Sequence, residues 1–312
     1  MARRGPSDIN QLLAIDKPVG ITSQGAVSRV RRALDVPRAG HAGTLDPLAS
    51  GVLVVGVGQG TRLLGMLALD RKSYIARIAF GTETSTDDAE GEIVRAAEPA
   101  PELFDEAYAR SVLARFVGPQ MQVPPAYSAI SVEGRRSYAR ARAGEEVELE
   151  PRSVEVFGSE LLAVEECEEG PVWTVSFEVS KGTYVRALAR DVGRAVGGAA
   201  HLSELCRTAS GCVTLARCLP LDGLTREAAQ GAALDPVRAL GLEACALPQG
   251  ALDDVLCGRS ISAGEVWPMA EERSEGSKVA LVHEGELRAI AILKEGRLAM
   301  EKVFPQGIGG VR

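Results

Sequence analysis

The chain has 312 residues, 46% of them hydrophobic and 25% charged, which is enough for two domains or one large one around a sizeable core. No run of 18 apolar residues occurs, no apolar stretch follows the opening MARRGPSDIN, and the six cysteines form no Cys-x-x-Cys pair. A membrane span, a secretory leader and a clustered thiolate metal site are therefore not expected, and the thiols read as reduced, mostly buried residues of a cytoplasmic protein.

The net charge of −7 is unfavourable for gripping phosphates, but it is unevenly placed. Residues 1–80 carry eleven Lys and Arg against five Asp and Glu, residues 81–120 three against nine, and residues 181–220 six against two. A local positive face is therefore compatible with the negative total.

Taken in chain order, LLAI (12–15) predicts a short strand, broken by Asp16-Lys17-Pro18 and Gly20. Thr22 or Ser23 offers an N-cap for a helix with Val27, Val30 and Leu34 at helical spacing. The turn-rich GHAGTLDPLASG (40–51) runs into VLVVGV (52–57), a buried-strand pattern, and a short helix fits 60–69. From Ser73 to Phe80 the pattern alternates, with Tyr74, Ala76, Ile78 and Phe80 on one face. GTETSTDDAEG (81–91) reads as an acidic loop or hairpin tip. Phe104, Tyr108, Val112 and Phe116 predict one stripe of an amphipathic helix.

Residues 119–150 read as an insertion that contains the arginine-rich RRSYARAR (135–142). A helix face bearing Arg136, Arg140 and Arg142 is expected to meet phosphates there. VWTVSFEVS (172–180) predicts a strand with Trp173, Phe177 and Val179 facing one way, followed by a helix through Leu188, Val192 and Val196. After about residue 240 short apolar runs alternate with Gly turns, which predicts a separate small β domain. Mixed strands and helices without a regular βαβ series give an α+β class. The expected domains are 1–240 and 245–312.

Asp46 stands before Pro47, and a residue before proline is pushed into extended backbone. A carboxylate is thereby held still at the entry to a strand, although Asp-Pro is also a common turn starter. GHAGTLDPLASGVL carries more than this. It resembles the signature G-H-x-G-x-L-D-P-x-A-x-G-x-L of the TruB family of tRNA pseudouridine synthases. LLAIDKPVGITS, KSYIARIAFGTETSTDDAEG, VPPAYSAI, SKGTYVRALARDVG and HLSELCRTASG agree with the family in the same order. The last 65 or so residues resemble, more weakly, the family's small RNA-binding PUA domain.

The resemblance implies a mixed-sheet catalytic domain flanked by helices, and a reaction without cofactor or metal. Uracil is detached from ribose, rotated and rejoined through carbon 5, at the uridine of position 55 in the tRNA T loop. Asp46 is then the nucleophile; direct attack on the sugar, elimination through C2′ and attack on the ring all stay open. Arg186 matches the cation that keeps such a carboxylate ionised in a dry site. Tyr74 matches the tyrosine that stacks on the extruded base and is a candidate catalytic group for removing the ribose C2′ proton, Tyr184 the second aromatic of the pocket, and Leu205 its apolar wall. His41 corresponds to a histidine near the space the base vacates, with Gly40 and Gly43 allowing close approach of backbone to RNA. Lys17 is expected to support the catalytic loop.

Ser131, Glu133 and Cys206 depart from residues common in the family, which bears on RNA grip and leaves the reaction type untouched. Two other readings stand beside this one: a guide-RNA-directed relative, and an RNA-binding protein that helps tRNA fold. The insertion favours the stand-alone branch, and one self-contained site makes a monomer the default. His41, His201 and His283 are far apart, and no phosphate-loop motif occurs.

Overall fold

The computed structural model describes residues 7–67, 71–127, 149–268 and 273–312 with their side chains, and the backbone of 131–132 and 135–136. In chain order the elements are β1 (Gln11–Lys17), α1 (Ser23–Ala33), β2 (Ala39–Ala42), β3 (Ala49–Val57), β4 (Arg71–Phe80), β5 (Thr82–Thr84), β6 (Ile93–Ala96), α2 (Glu106–Ala114) and β7 (Gly118–Gln122). There follow β8 (Ser131–Val132), β9 (Arg135–Arg136), β10 (Arg152–Cys167), β11 (Gly170–Ser180), α3 (Val185–Ala195), β12 (Ala200–Ser210), β13 (Val213–Thr214) and β14 (Leu219–Pro220). The last are α4 (Arg226–Gly231), α5 (Pro236–Leu240), β15 (Glu243–Ala246), α6 (Gln249–Leu256), β16 (Ile261–Ser262), β17 (Lys278–His283), β18 (Glu286–Lys294) and β19 (Arg297–Ile308). Two compact units result. One joins Met1–Pro47, Gly51–Leu69 and Ser210–Arg312; the other joins Leu48–Ser50 and Asp70–Ala209.

In the first unit β3 has β1 antiparallel along it, from Gln11 opposite Val57 to Lys17 opposite Gly51, and β2 antiparallel on its other side. Every residue from Val52 to Val57 is buried, as the unbroken apolar run demands of a strand covered on both faces. The Thr22 hydroxyl accepts from the Gly25 N–H at 3.0 Å and so caps α1, which buries Ala26, Val27 and Val30. The helix expected at 60–69 is a 3-10 segment, Gly58–Leu63. It lies so close to β1 that a Cβ on Gly60 would come within 2.3 Å of the Gln11 carbonyl oxygen.

The C-terminal strands form a sheet in the order β15-β17-β18-β19-β16. Its two faces are both apolar. Val279, Leu281, Ala289, Ala291 and Leu293 join Ala251 and Val255 of α6 in one cluster. Ala280, Ile290, Phe304 and Ile308 join Leu12, Ala14, Val52 and Val54 in another. The composition shift near residue 240 thus coincides with the start of β15, while the apolar core runs across it through Val237 and Leu240.

The second unit orders its strands β12-β4-β11-β10-β7. Tyr74, Ala76, Ile78 and Phe80 are the buried alternation of β4, and Trp173, Val175, Phe177 and Val179 that of β11. Tyr74 stands opposite Phe177, hence on the same face. The Trp173 indole N–H donates to the Leu103 carbonyl at 2.7 Å. Helix α2 lies against β10, and α3 against α2 and β4.

Three expectations need correction. The stripe through Phe104, Tyr108, Val112 and Phe116 is not the buried face, since Asp105 caps the helix at Glu106 and the buried residues are Leu103, Ala109, Val112 and Leu113. Four-residue steps advance about 40° beyond each turn of a 3.6-residue helix, so a strict series walks off one face. Arg135–Arg136 pair as a strand with Ser131–Val132, so no helix carries Arg136. The Arg136 side chain, with Arg140 and Arg142, lies outside the described residues. Finally, only Cys245 is buried; Cys206 and Cys218 are half-buried, while Cys167, Cys212 and Cys257 sit exposed at element ends or turns.

Candidate active site

Asp46 is half-buried in the connection from β2 to β3, and the residues on either side of it are anchored. The hydroxyl of Ser23 accepts from the Leu45 N–H at 2.7 Å and donates to the Leu45 carbonyl at 2.9 Å, so one buried side chain holds both ends of one residue. On the other side the Pro47 carbonyl accepts from the Gly20 N–H at 2.8 Å. Lys17 is fully buried, and its Nζ donates to the carbonyls of Pro18 and Ile21 at 2.8 Å and reaches that of Pro47 at 3.5 Å. A buried ammonium demands such oxygens, which ties the Asp-Lys-Pro turn to the loop of Asp46. This geometry gives Lys17 a supporting place. His41 lies half-buried on β2, and Gly43 adopts φ +82°, a backbone that disfavours any side chain.

In the second unit Tyr74 and Leu205 are buried on the neighbouring strands β4 and β12. Tyr184 is the N-cap residue of α3, and Arg186 lies in its first turn. The guanidinium of Arg186 donates to the carbonyls of Thr86 at 2.9 Å and Tyr127 at 3.0 Å, and stands 3.3 Å from the Asp88 carboxylate. One turn on, Arg190 contacts Asp87 and the Val123 carbonyl, each at 2.9 Å, and also Asp191. A further turn on, Arg194 is bound in a fork by Glu83. Three arginines at four-residue spacing thus meet three carboxylates of the 81–91 segment. That segment is fixed in turn to β12, since the Leu202 N–H donates to the Asp87 carbonyl at 3.1 Å and the Leu202 carbonyl accepts from Ala89 at 3.0 Å.

Burial pushes the Asp87 carboxyl up to about 6, against the pull of Arg190 and Arg186. Burial also raises Asp191, while the hydrogen bond that Arg194 donates to Glu83 raises Arg194. Paired charges this deep fix geometry more than they stabilise the fold, because desolvation offsets most of their attraction.

Sequence reasoning missed the partners in these contacts: Ser23, Glu83, Asp87, Asp88, Arg190 and Arg194. The signal was present in the −6 balance of residues 81–120 and the +4 balance of residues 181–220, which are complementary. The basic excess of the second segment was read as room for a positive face. Its arginines at 186, 190 and 194 are instead engaged with internal carboxylates. Among the described residues no group of three His, Cys, Asp or Glu side chains is placed to hold a metal ion. No helix among them is long and apolar enough to cross a membrane.

The family model described as TruB family pseudouridylate synthase (N terminal domain) matches residues 31–185. The tRNA pseudouridine synthase B of Nocardia farcinica is 42% identical over 279 residues, 89% of this chain and 90% of that protein. The chain belongs to the TruB family. A tRNA pseudouridine synthase B from a Mycobacterium species is 40% identical over 283 residues, 90% of this chain and 95% of the relative. Among solved structures, the crystal structure of a Cbf5-Nop10-Gar1 complex matches with a TM-score of 0.66 and 25% identity, covering 95% of this chain and 85% of that one. The fold is thus α+β, and as a TruB-family pseudouridine synthase the chain is an isomerase.

Proposed function

We propose that this chain converts the uridine at position 55 of the tRNA T loop to pseudouridine, with Asp46 as the nucleophile. Membership of the TruB family, through relatives named for action on tRNA that align over nine-tenths of the chain, carries this reading. The two-sided anchoring of the Asp46 loop supports it, because a nucleophile must be held in attack geometry.

In this reading the target leaves its stack at a cost of a few kcal/mol. Stacking on Tyr74, with Tyr184 as the second aromatic and Leu205 as the apolar wall, returns roughly 1–3 kcal/mol. An Asp46 carboxylate oxygen bonds to C1′ as the C1′–N1 bond breaks, and the electron pair leaves with the uracil. After rotation, C5 bonds to C1′ and the C1′–O bond breaks, which returns the pair to Asp46. The C5 proton is lost and N1 gains one, so the sum is an isomerisation. Arg186 supplies the site's positive charge, Lys17 holds the loop, and His41, Gly40 and Gly43 line the approach of the RNA. We assign 1–240 to catalysis, with 119–150 and its Arg136, Arg140 and Arg142 gripping the T arm, and 245–312 to further RNA contact. A cytoplasmic monomer is the form in which we expect it to act.

Incubating the protein with unmodified tRNA transcript and mapping pseudouridine tests this. One new pseudouridine in the T loop is expected, with none from Asp46→Asn and nearly unchanged tRNA binding by that variant. Tight tRNA binding by the wild type without product would refute the assignment.

A further inference from the structure

Gln122 is the last residue of β7, and the sequence after it explains why. Pro124 and Pro125 have no N–H for a ladder, and Val123 before them is held extended. The Gln122 side chain is only 2% exposed, and it directs both functional atoms at a single residue. Its Oε1 accepts from the Tyr184 N–H at 2.9 Å, and its Nε2 donates to the Tyr184 carbonyl at 3.2 Å. Tyr184 is the N-cap residue of α3, so the helix offers its N–H no carbonyl partner, and Gln122 supplies an acceptor.

Two further points fasten the same segment along α3. Arg190 donates to the Val123 carbonyl at 2.9 Å, and Arg186 to the Tyr127 carbonyl at 3.0 Å. A lone hydrogen bond would let the peptide around Tyr184 pivot. A reciprocal pair to both its N–H and its carbonyl fixes the direction in which the Cα projects the ring. Simple satisfaction of a buried amide needs no such pairing, since two unrelated backbone groups would serve as well.

We propose that Gln122 is a positioning residue for the uridine site, acting through Tyr184 by fixing where that ring meets the extruded base. The inference rests on the reading of Tyr184 given above.

Gln122→Met keeps length and neutrality and removes both bonds. With full-length protein and tRNA transcript, the single-turnover rate at saturating enzyme is expected to fall about tenfold or more. The Kd for tRNA should stay within about threefold, and melting should remain above the assay temperature. In a Tyr184→Leu background the same substitution is expected to change the rate less than about twofold. Gln122→Glu, which keeps the acceptor half, should fall between wild type and Gln122→Met. Amide exchange in the free protein supplies a readout without activity: Tyr184 should exchange faster in Gln122→Met.

Equal fold-losses with and without the Tyr184 ring, or unchanged Tyr184 exchange, would overturn the inference while leaving the functional reading intact. A wild type that makes no pseudouridine would overturn both.

Discussion

Replacing Ser23 by Ala removes the hydroxyl that both donates to and accepts from Leu45, at 2.9 and 2.7 Å, in a site where Ser23 and Leu45 are buried. A neutral intramolecular hydrogen bond contributes about 0.5–1.5 kcal/mol net, and each orphaned buried partner costs about 1–3 kcal/mol. Two such groups are orphaned at once, so a loss of about 2–6 kcal/mol is expected. At about 2–4 °C per kcal/mol for a large domain, that is a drop in melting temperature of about 4–24 °C. The larger effect falls on Asp46, the next residue, because a displacement of about 1 Å can cost on the order of a hundredfold in rate. The assay is single-turnover pseudouridine formation well below the melting temperature of the variant, with tRNA affinity measured in parallel. Ser23→Thr, which keeps the hydroxyl, should retain more rate than Ser23→Ala. A folded Ser23→Ala enzyme with a rate within about threefold of wild type would refute the claim that this hydroxyl holds the nucleophile's loop.

Lys17→Met should lose both stability and rate, since it strips the ammonium from three loop carbonyls; thermal melting and turnover measured together check this. Arg186→Lys keeps the charge but not the fork that spans Asp88, Thr86 and Tyr127, and a rate loss of about tenfold or more is expected with RNA affinity largely kept. Asp87 holds its proton in the folded protein up to about pH 6, whereas the unfolded chain releases it near 3.8. Its contribution is therefore complete below about pH 4 and lost as pH rises through 6, with an upper size of about 3 kcal/mol. Denaturant melts of Asp87→Asn between pH 4 and 7 should show that slope flattened. Phe304→Ala empties a fully buried position in the core shared with β1 and β3 and should cost about 3–5 kcal/mol, read as one earlier, still single transition.

The strands of the fold were legible because period-two burial is a local property. Tyr74, Ala76, Ile78 and Phe80 announce β4 in ten residues, and Thr22 announces a helix start by its chemistry alone. Contacts that join distant residues left weaker marks. Nothing near Gln122 says that it grips Tyr184, and Asp87 and Asp88 look like any polar tip until α3 supplies arginines about a hundred positions later. The run VALVHEGELRAIAIL announced strands but not the two cores they divide, since alternation shows that a face is apolar and not what covers it. Asp46, Tyr74, Tyr184, Arg186 and Leu205 were singled out by likeness to a family. Asp-Pro, a strand tyrosine and a helix leucine have ordinary structural explanations on their own.

The apolar faces of β1 and β3 are made long before Phe304 and Ile308, which share their core and help to cover them. At about 5–20 residues per second, Leu12 waits roughly 15–60 s for these partners. Through that interval the nascent chain carries an uncovered hydrophobic surface that no local collapse can hide. Shielding of that surface by the ribosome or a chaperone is then expected to affect how much of this protein a cell obtains.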